Sequence, residues 1–196
     1  MSLTKKKLLV GMTGGIACYK VPYLVRDLRR AGAEVQVVMT EAATKFITPL
    51  TLETVSERPV VTELFPADEF VATRHIDIAQ WPDLVVIAPA TANFLGKVTA
   101  GISDDLLTTI MCATTAPVLV APAMNPGMWQ HPATQRNAQW LADNGYSFVG
   151  PAEGDMACDQ TGVGRMAEPS EILAAIKTRF SDKQARSQKT SKKKRV

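Results

Sequence analysis

Short apolar runs recur along the 196 residues, separated by polar stretches rich in glycine and proline. Leu8–Val10, Val35–Met39, Leu84–Ala88, Ala116–Ala121 and Tyr146–Val149 are too short for helices and too continuous for half-exposed strands. They predict strands buried on both faces. Helical spacing fills the gaps. One helix is expected over about Ile16–Arg30, stopped by Gly32, and a short one begins at Glu41 behind a Thr40 cap. Thr44–Val55 reads as helix interrupted at Pro49, and the Gly101–Leu106 stretch opens another with Ser103 as N-cap. Ala133–Asn144 is amphipathic and closed by Gly145, and a last helix covers about Glu171–Phe180. Thr54–Thr73 has no clear period and predicts an irregular loop with one edge strand near Val60-Val61. Gly150–Met166 is polar and glycine-rich, the composition of a long mobile loop. Strands alternating with helices predict an α/β fold, a parallel sheet covered on both faces in three layers.

In such a sheet, ligands sit outside the carboxyl ends of the strands, so the chemistry is sought there. After the first run comes Gly11-Met12-Thr13-Gly14-Gly15-Ile16. Glycine lets a backbone approach a phosphate, and the following helix start offers N–H groups to it. The pattern is neither G-x-G-x-x-G nor a P-loop, which favours a mononucleotide phosphate over NAD. The Thr40 hydroxyl at the next strand end is a candidate for a cofactor phosphate or sugar chain, and Phe46 is a candidate to pack on its ring. Pro89-Ala90-Thr91-Ala92-Asn93 offers small residues against which a planar ring can lie, with Thr91 and Asn93 for its polar edge. After Ala121, two prolines and a glycine force a turn. There the Asn125 amide stands among Met124, Met128 and Trp129, a site suited to orienting one small polar group. His75 and His131 are the two imidazoles, and His131 reads as a structural residue at a helix start. Cys158, in the glycine-rich loop, is an odd choice unless its sulfur is used, whereas Cys112 reads as core.

Composition narrows the classes. Three cysteines without CxxC or a Cys/His cluster argue for a reducing, cytoplasmic setting and against a metal site. No run has the length of a membrane helix. The net charge of +3 is uneven. Residues 181–196 carry seven Lys/Arg against one Asp, whereas the preceding 180 carry fifteen Lys/Arg against eighteen Asp/Glu. The division expected is a globular domain over 1–180 and a basic, disordered tail over 181–196, with no nucleic-acid surface on the body.

Pro122-Ala123-Met124-Asn125-Pro126-Gly127-Met128-Trp129, as Pro-x-Met-Asn-x-x-Met-Trp, resembles the signature of the homo-oligomeric flavin-containing cysteine decarboxylases. The resemblance runs from about Lys7 to Pro169 and is nearest to the branch acting on 4′-phosphopantothenoylcysteine in coenzyme A synthesis. It implies a Rossmann-like fold and FMN. Its cofactor residues would be Thr13, Gly14, Gly15, Ile16, Thr40, Phe46, Pro89, Ala90, Thr91, Asn93, Ser103 and Asp104. The His-Ile-acidic-aliphatic motif matches at His75, which would act as base. Residues 157–166 are similar to the substrate clamp, with Asp159 and Gln160 in place of its usual Gly and Asp; Ala157, Arg165 and Met166 would join Met124, Asn125 and Met128 in binding substrate. The implied reaction oxidises the substrate thiol to a thioaldehyde, releases CO₂ and reduces the enethiolate to 4′-phosphopantetheine. Asn125 would hold the carboxylate and Cys158 would donate the proton. A homotrimer or dodecamer is implied, with a separate phosphopantothenate–cysteine ligase as pathway partner. Three alternatives stay open: a lantibiotic-type peptidyl-cysteine decarboxylase, a flavin prenyltransferase, and a non-enzymatic regulatory flavoprotein subunit.

Overall fold

The computed structural model describes residues 2–65, 73–155 and 161–193. Five parallel strands form the main sheet: β1 (Lys7–Met12), β2 (Glu34–Met39), β3 (Leu84–Ala90), β4 (Val118–Pro122) and β5 (Ser147–Phe148), in the order β2-β1-β3-β4-β5. Because strand side chains alternate in direction, the continuous apolar runs feed two cores. Leu8, Val10, Met12, Val37, Val86 and Leu119 point to one face; Leu9, Val38, Val85, Ile87 and Val120 point to the other.

A 3₁₀ turn (Ile16–Lys20), α1 (Val21–Arg30), α2 (Glu41–Thr44) and α3 (Pro49–Ser56) follow the first two strands. Next come α4 (Arg74–Gln80), α5 (Ala92–Thr99), α6 (Leu106–Ala113), α7 (Pro126–Gln130), α8 (Pro132–Asp143) and α9 (Pro169–Lys193). Val21, Leu24, Leu28, Leu52, Ile172 and Ile176 cover the first face, and Phe94, Leu95, Leu107, Ile110 and Leu141 the second. The result is the Rossmann-like, three-layer α/β/α arrangement.

Several local expectations are corrected. The first helix opens with a 3₁₀ turn, because Pro22 fixes the second helical position of α1 and the α-helical ladder starts there. Residues 45–48 are not helical, since Thr48 holds extended geometry before Pro49. Asp105, not Ser103, caps α6: its carboxylate accepts the Thr108 N–H at 2.8 Å, and the Thr108 hydroxyl accepts the Asp105 N–H in a capping box. Cys112 lies exposed on α6 rather than in the core. Val61 supplies a single parallel bridge to Val38. The stretch after Gly150 is not one open loop. β6 (Ala152–Asp155) and β7 (Thr161–Arg165) pair antiparallel, Gly154 opposite Gly162, and the hairpin packs on α7. Finally, α9 passes Phe180 and continues to Lys193. Lys, Arg, Gln and Ala, which make up most of 181–193, are good helix formers.

Gly14 shows how tightly the first loop is built. A Cβ there would stand 2.5 Å from Ala42 Cβ and 2.9 Å from the Ala42 carbonyl carbon, whereas at Gly15 nothing comes closer than 3.8 Å. Gly14→Ala is expected to push α2 aside and lower stability by about 1–3 kcal/mol. Thermal unfolding checks this, with Gly15→Ala as the variant expected to melt close to wild type.

Candidate functional site

In the strand order β2-β1-β3-β4-β5, the chain moves one way from β1 and then returns to the other side, so the topology switches between β1 and β3. Ligand clefts form at that point, outside the carboxyl ends. The sequence makes the cleft by ending each strand in a turn former: Gly14-Gly15 after β1, Thr91 after β3, and Asn125-Pro126 after β4. Thr13 joins the first two tips. Its buried hydroxyl donates to the Pro89 carbonyl at 2.6 Å and accepts the Thr91 N–H at 3.0 Å. The Met124 N–H donates to the Gly164 carbonyl at 2.9 Å, bringing the hairpin to the β4 tip.

These loops enclose a cavity of about 450 Å³, within the range usual for small-ligand sites. Gly14, Gly15, Ile16 and Thr91 line one part; Met124, Asn125 and Met128 another; and Gly164, Arg165 and Met166 reach it from the hairpin. Asn125 also caps α7, its Oδ1 accepting the Gly127 N–H at 2.8 Å. Trp129 packs toward the core rather than lining the cavity. Ala17, Tyr19, Lys20 and Ala123 complete the lining and were missed by the sequence reading. Lys20 is buried, and its ammonium donates to Glu168 Oε1 at 2.7 Å. Arg165 pairs with the same carboxylate oxygen. Hydrogen bonding from Lys20, helped by Arg165, holds the Glu168 carboxyl below the usual carboxylate range.

Other expected residues stand elsewhere. Thr40 caps α2, its hydroxyl accepting the Ala43 N–H at 3.3 Å, and Phe46 is half-exposed. Pro89 and Ala90 are buried within β3. Asn93 is exposed on α5. Ser103 is exposed and donates its hydroxyl to Cys112 Sγ at 3.0 Å. Asp104 pairs with Lys97 at 2.7 Å, and that hydrogen bond lowers its pKa. His75, partly buried on α4, is not among the residues around this cavity. His131 caps α8, its Nδ1 accepting the Ala133 N–H. Ala157 and Cys158 lie outside the described residues, as do Asp159 and Gln160. Among the described residues, no His/Cys/Asp/Glu group could hold a metal ion.

Residues 1–181 match the family model described as Flavoprotein. The chain belongs to that family. Its cofactor is accordingly a flavin, and the cavity suits one. It is lined largely by apolar and glycine residues, and Gly15 leads extended into a 3₁₀ turn whose start no side chain caps. Such a start leaves N–H groups for an anionic group of the ligand. The chain is 50% identical over 182 residues to the coenzyme A biosynthesis bifunctional protein CoaBC of Vibrio cholerae, covering 93% of this chain and 46% of that protein. It is 49% identical over 181 residues to the Escherichia coli K12 protein of the same name, covering 92% and 45%. The chain therefore spans a little under half the length of these relatives. Among solved structures, a cysteine-to-serine mutant of PPC decarboxylase complexed with pantothenoylaminoethenethiol is 33% identical, with a TM-score of 0.79 over 90% of this chain and 99% of the other. The FMN binding protein AtHal3 is 33% identical, with a TM-score of 0.77 over 91% and 98%.

Proposed function

We propose that the chain is an FMN-dependent decarboxylase that converts 4′-phosphopantothenoyl-L-cysteine to 4′-phosphopantetheine and CO₂ in coenzyme A synthesis. The observation that carries this reading is the convergence of the Gly14-Gly15 turn, Thr91 and the Met124–Met128 amide-and-methionine wall on one cavity. Two relatives support the finer assignments: one is named an FMN binding protein, and the PPC decarboxylase mutant carries an enethiol.

Loss of CO₂ from an acylated cysteine leaves an electron pair with nowhere to go until the thiol-bearing carbon is oxidised. Bound FMN supplies that two-electron oxidation and its reversal, so no flavin is consumed. The side chains do the rest. The Asn125 amide holds the substrate carboxylate, and Met124 and Met128 keep water from it. His75 lies outside this chain's own cavity, so its part as base in the oxidative half requires a neighbouring copy of the chain to present it there; Cys158 would donate the proton that completes the product. Thr13 ties the β1 and β3 tips together, and Gly14, Gly15, Ile16 and Thr91 would hold the cofactor. Ile16, Tyr19 and Met128, at the cavity, are 60%, 56% and 49% exposed. This supports a homo-oligomer, a trimer or dodecamer, in which a neighbouring copy covers that rim. A cytoplasmic location and a phosphopantothenate–cysteine ligase as supplier of substrate belong to the same proposal. No helix among the described residues is long and apolar enough to cross a membrane.

Mass analysis of two samples tests the reading. Heat-released cofactor is expected to be FMN, and incubation with 4′-phosphopantothenoylcysteine is expected to give 4′-phosphopantetheine. A product lighter by two hydrogens would instead assign an oxidative decarboxylase, and absence of CO₂ release with reconstituted FMN would remove the enzymatic reading.

A further inference from the structure

The residues around the cavity include two with a formal charge, Lys20 and Arg165, and both are cations. They come from distant parts of the chain, one from the turn after β1 and one from the end of β7, and meet on Glu168 Oε1. Glu171 lies nearby, but its carboxylate accepts the Glu168 backbone N–H at 2.7 Å and makes no ion pair with either cation among the described residues. A simple tie between turn and hairpin would need one cation for one carboxylate. Here two cations share one carboxylate, so among the described residues a positive charge is left over beside an otherwise uncharged wall. The Lys20 side chain is only 10% exposed and has Glu168 as its counter-charge, so the surplus falls on Arg165, which is 42% exposed at the cavity. A guanidinium held there favours a carboxylate or phosphate of the ligand.

We infer that Lys20, Arg165 and Glu168 form an anion-reading cluster, in which Glu168 is a positioning residue that cancels one cation and leaves one positive charge for a carboxylate or phosphate of the ligand. The inference rests on the reading above only in that its substrate bears both groups. Glu168 also fixes where the charge stands, because it holds both cations at one point of the wall.

Charge counting supplies the test. The cluster carries +1 in the wild type, 0 in Lys20→Met, +2 in Glu168→Gln and +1 again in the double variant. KM and kcat are measured on the flavin-loaded chain across a potassium chloride series, with 4′-phosphopantothenoylcysteine and its dephospho analogue. Loss of one charge-assisted contact is expected to raise KM about tenfold or more in Lys20→Met and to flatten its salt dependence. Glu168→Gln should steepen the salt dependence, and the double variant should regain most of the lost affinity through Arg165. A double variant no better than Lys20→Met, or one salt dependence across the series, would reduce the cluster to a structural tie and overturn the inference.

The source of the anion follows from the pattern. An effect confined to the phosphorylated substrate assigns the phosphate, and an effect on both assigns the carboxylate. Selective loss of FMN over riboflavin in Lys20→Met assigns the cofactor phosphate. If the wild type turns over neither substrate, the proposed reaction fails, while inorganic phosphate still tests the cluster. A phosphate-induced change in the flavin spectrum that Lys20→Met lacks supports it; no difference between the two proteins overturns it.

Discussion

Replacing Cys158 with serine is expected to stop the proposed reaction half-way, after CO₂ has left and before the product is reduced. The reasoning is one of acidity. A thiol has a reference pKa of roughly 8.5, close enough to neutrality to donate a proton to a carbanion-like centre, whereas an aliphatic hydroxyl is a far weaker acid. Positioned proton transfer contributes about 10²–10⁴-fold, so steady-state formation of 4′-phosphopantetheine should fall by that order. Binding and oxidation should survive, because the cavity residues on β7 and on the strand tips are untouched. Under anaerobic conditions, mixing with substrate should therefore bleach the flavin once and leave it reduced. The released compound should be lighter than 4′-phosphopantetheine by two hydrogens. Stopped-flow absorbance and mass spectrometry read the two signals independently. Normal product at a near wild-type rate would show that Cys158 has no part in the proton transfer.

The sheet was legible because all its central strands are buried on both faces. Leu8–Val10 and Leu84–Ala88 have no polar alternation to confuse with a helix, and the turn formers after them mark the carboxyl ends where the cavity lies. Residues set by one local signal accordingly line the cavity, among them Gly14, Gly15, Thr91 and Asn125. Features set by competition between signals were not legible. Ser103 and Asp105 both have N-cap chemistry, and the choice fell to Asp105 because Thr108 sits where a reciprocal bond can close. The β6–β7 hairpin escaped notice because its strands, Ala152–Asp155 and Thr161–Arg165, hold glycines and charges instead of β-branched runs. Their pairing and contact with α7 are tertiary facts. Lys20 was passed over for a similar reason. In sequence it is one more lysine at the end of a helical turn, and its partner Glu168 lies 148 residues away. The one available hint was spacing: Gly15, Ile16, Tyr19 and Lys20 fall on the first turns after the glycine loop, all of them at the cavity. The roles of His75 and Asp104 rest on family resemblance and that of Asn93 on the polar edge it offers a planar ring, and none of the three lines the cavity.

Asn125→Asp is expected to separate catalysis from folding more cleanly than any truncation at the same position. On the proposed reading, the side chain has two duties on opposite ends of one amide. Its oxygen accepts the Gly127 N–H at 2.8 Å and so starts α7; its NH₂ is a donor of the kind a carboxylate requires. Aspartate keeps the first duty, since it is as good an N-cap as asparagine and its charge suits a helix start. Alanine would lose both, at a cost of about 1 kcal/mol for the cap alone. In the aspartate variant the donor becomes an acceptor bearing negative charge. A hydrogen bond to a charged group is worth about 1.5–3 kcal/mol. Two like charges about 4 Å apart add roughly 1–4 kcal/mol of repulsion, depending on how far water screens them. Together these predict a fall in kcat/KM of about 10²–10⁵-fold. The melting temperature should stay within a few degrees of wild type, and FMN should remain bound. The substrate carboxylate would no longer be held with its thiol toward the cofactor, so the first half of the reaction fails. The flavin should then stay oxidised after substrate is added, the opposite of the bleached state expected for Cys158→Ser. Normal bleaching with an unchanged KM would show that Asn125 serves α7 alone and that the carboxylate is held elsewhere, with the Lys20–Arg165 cluster the first place to look.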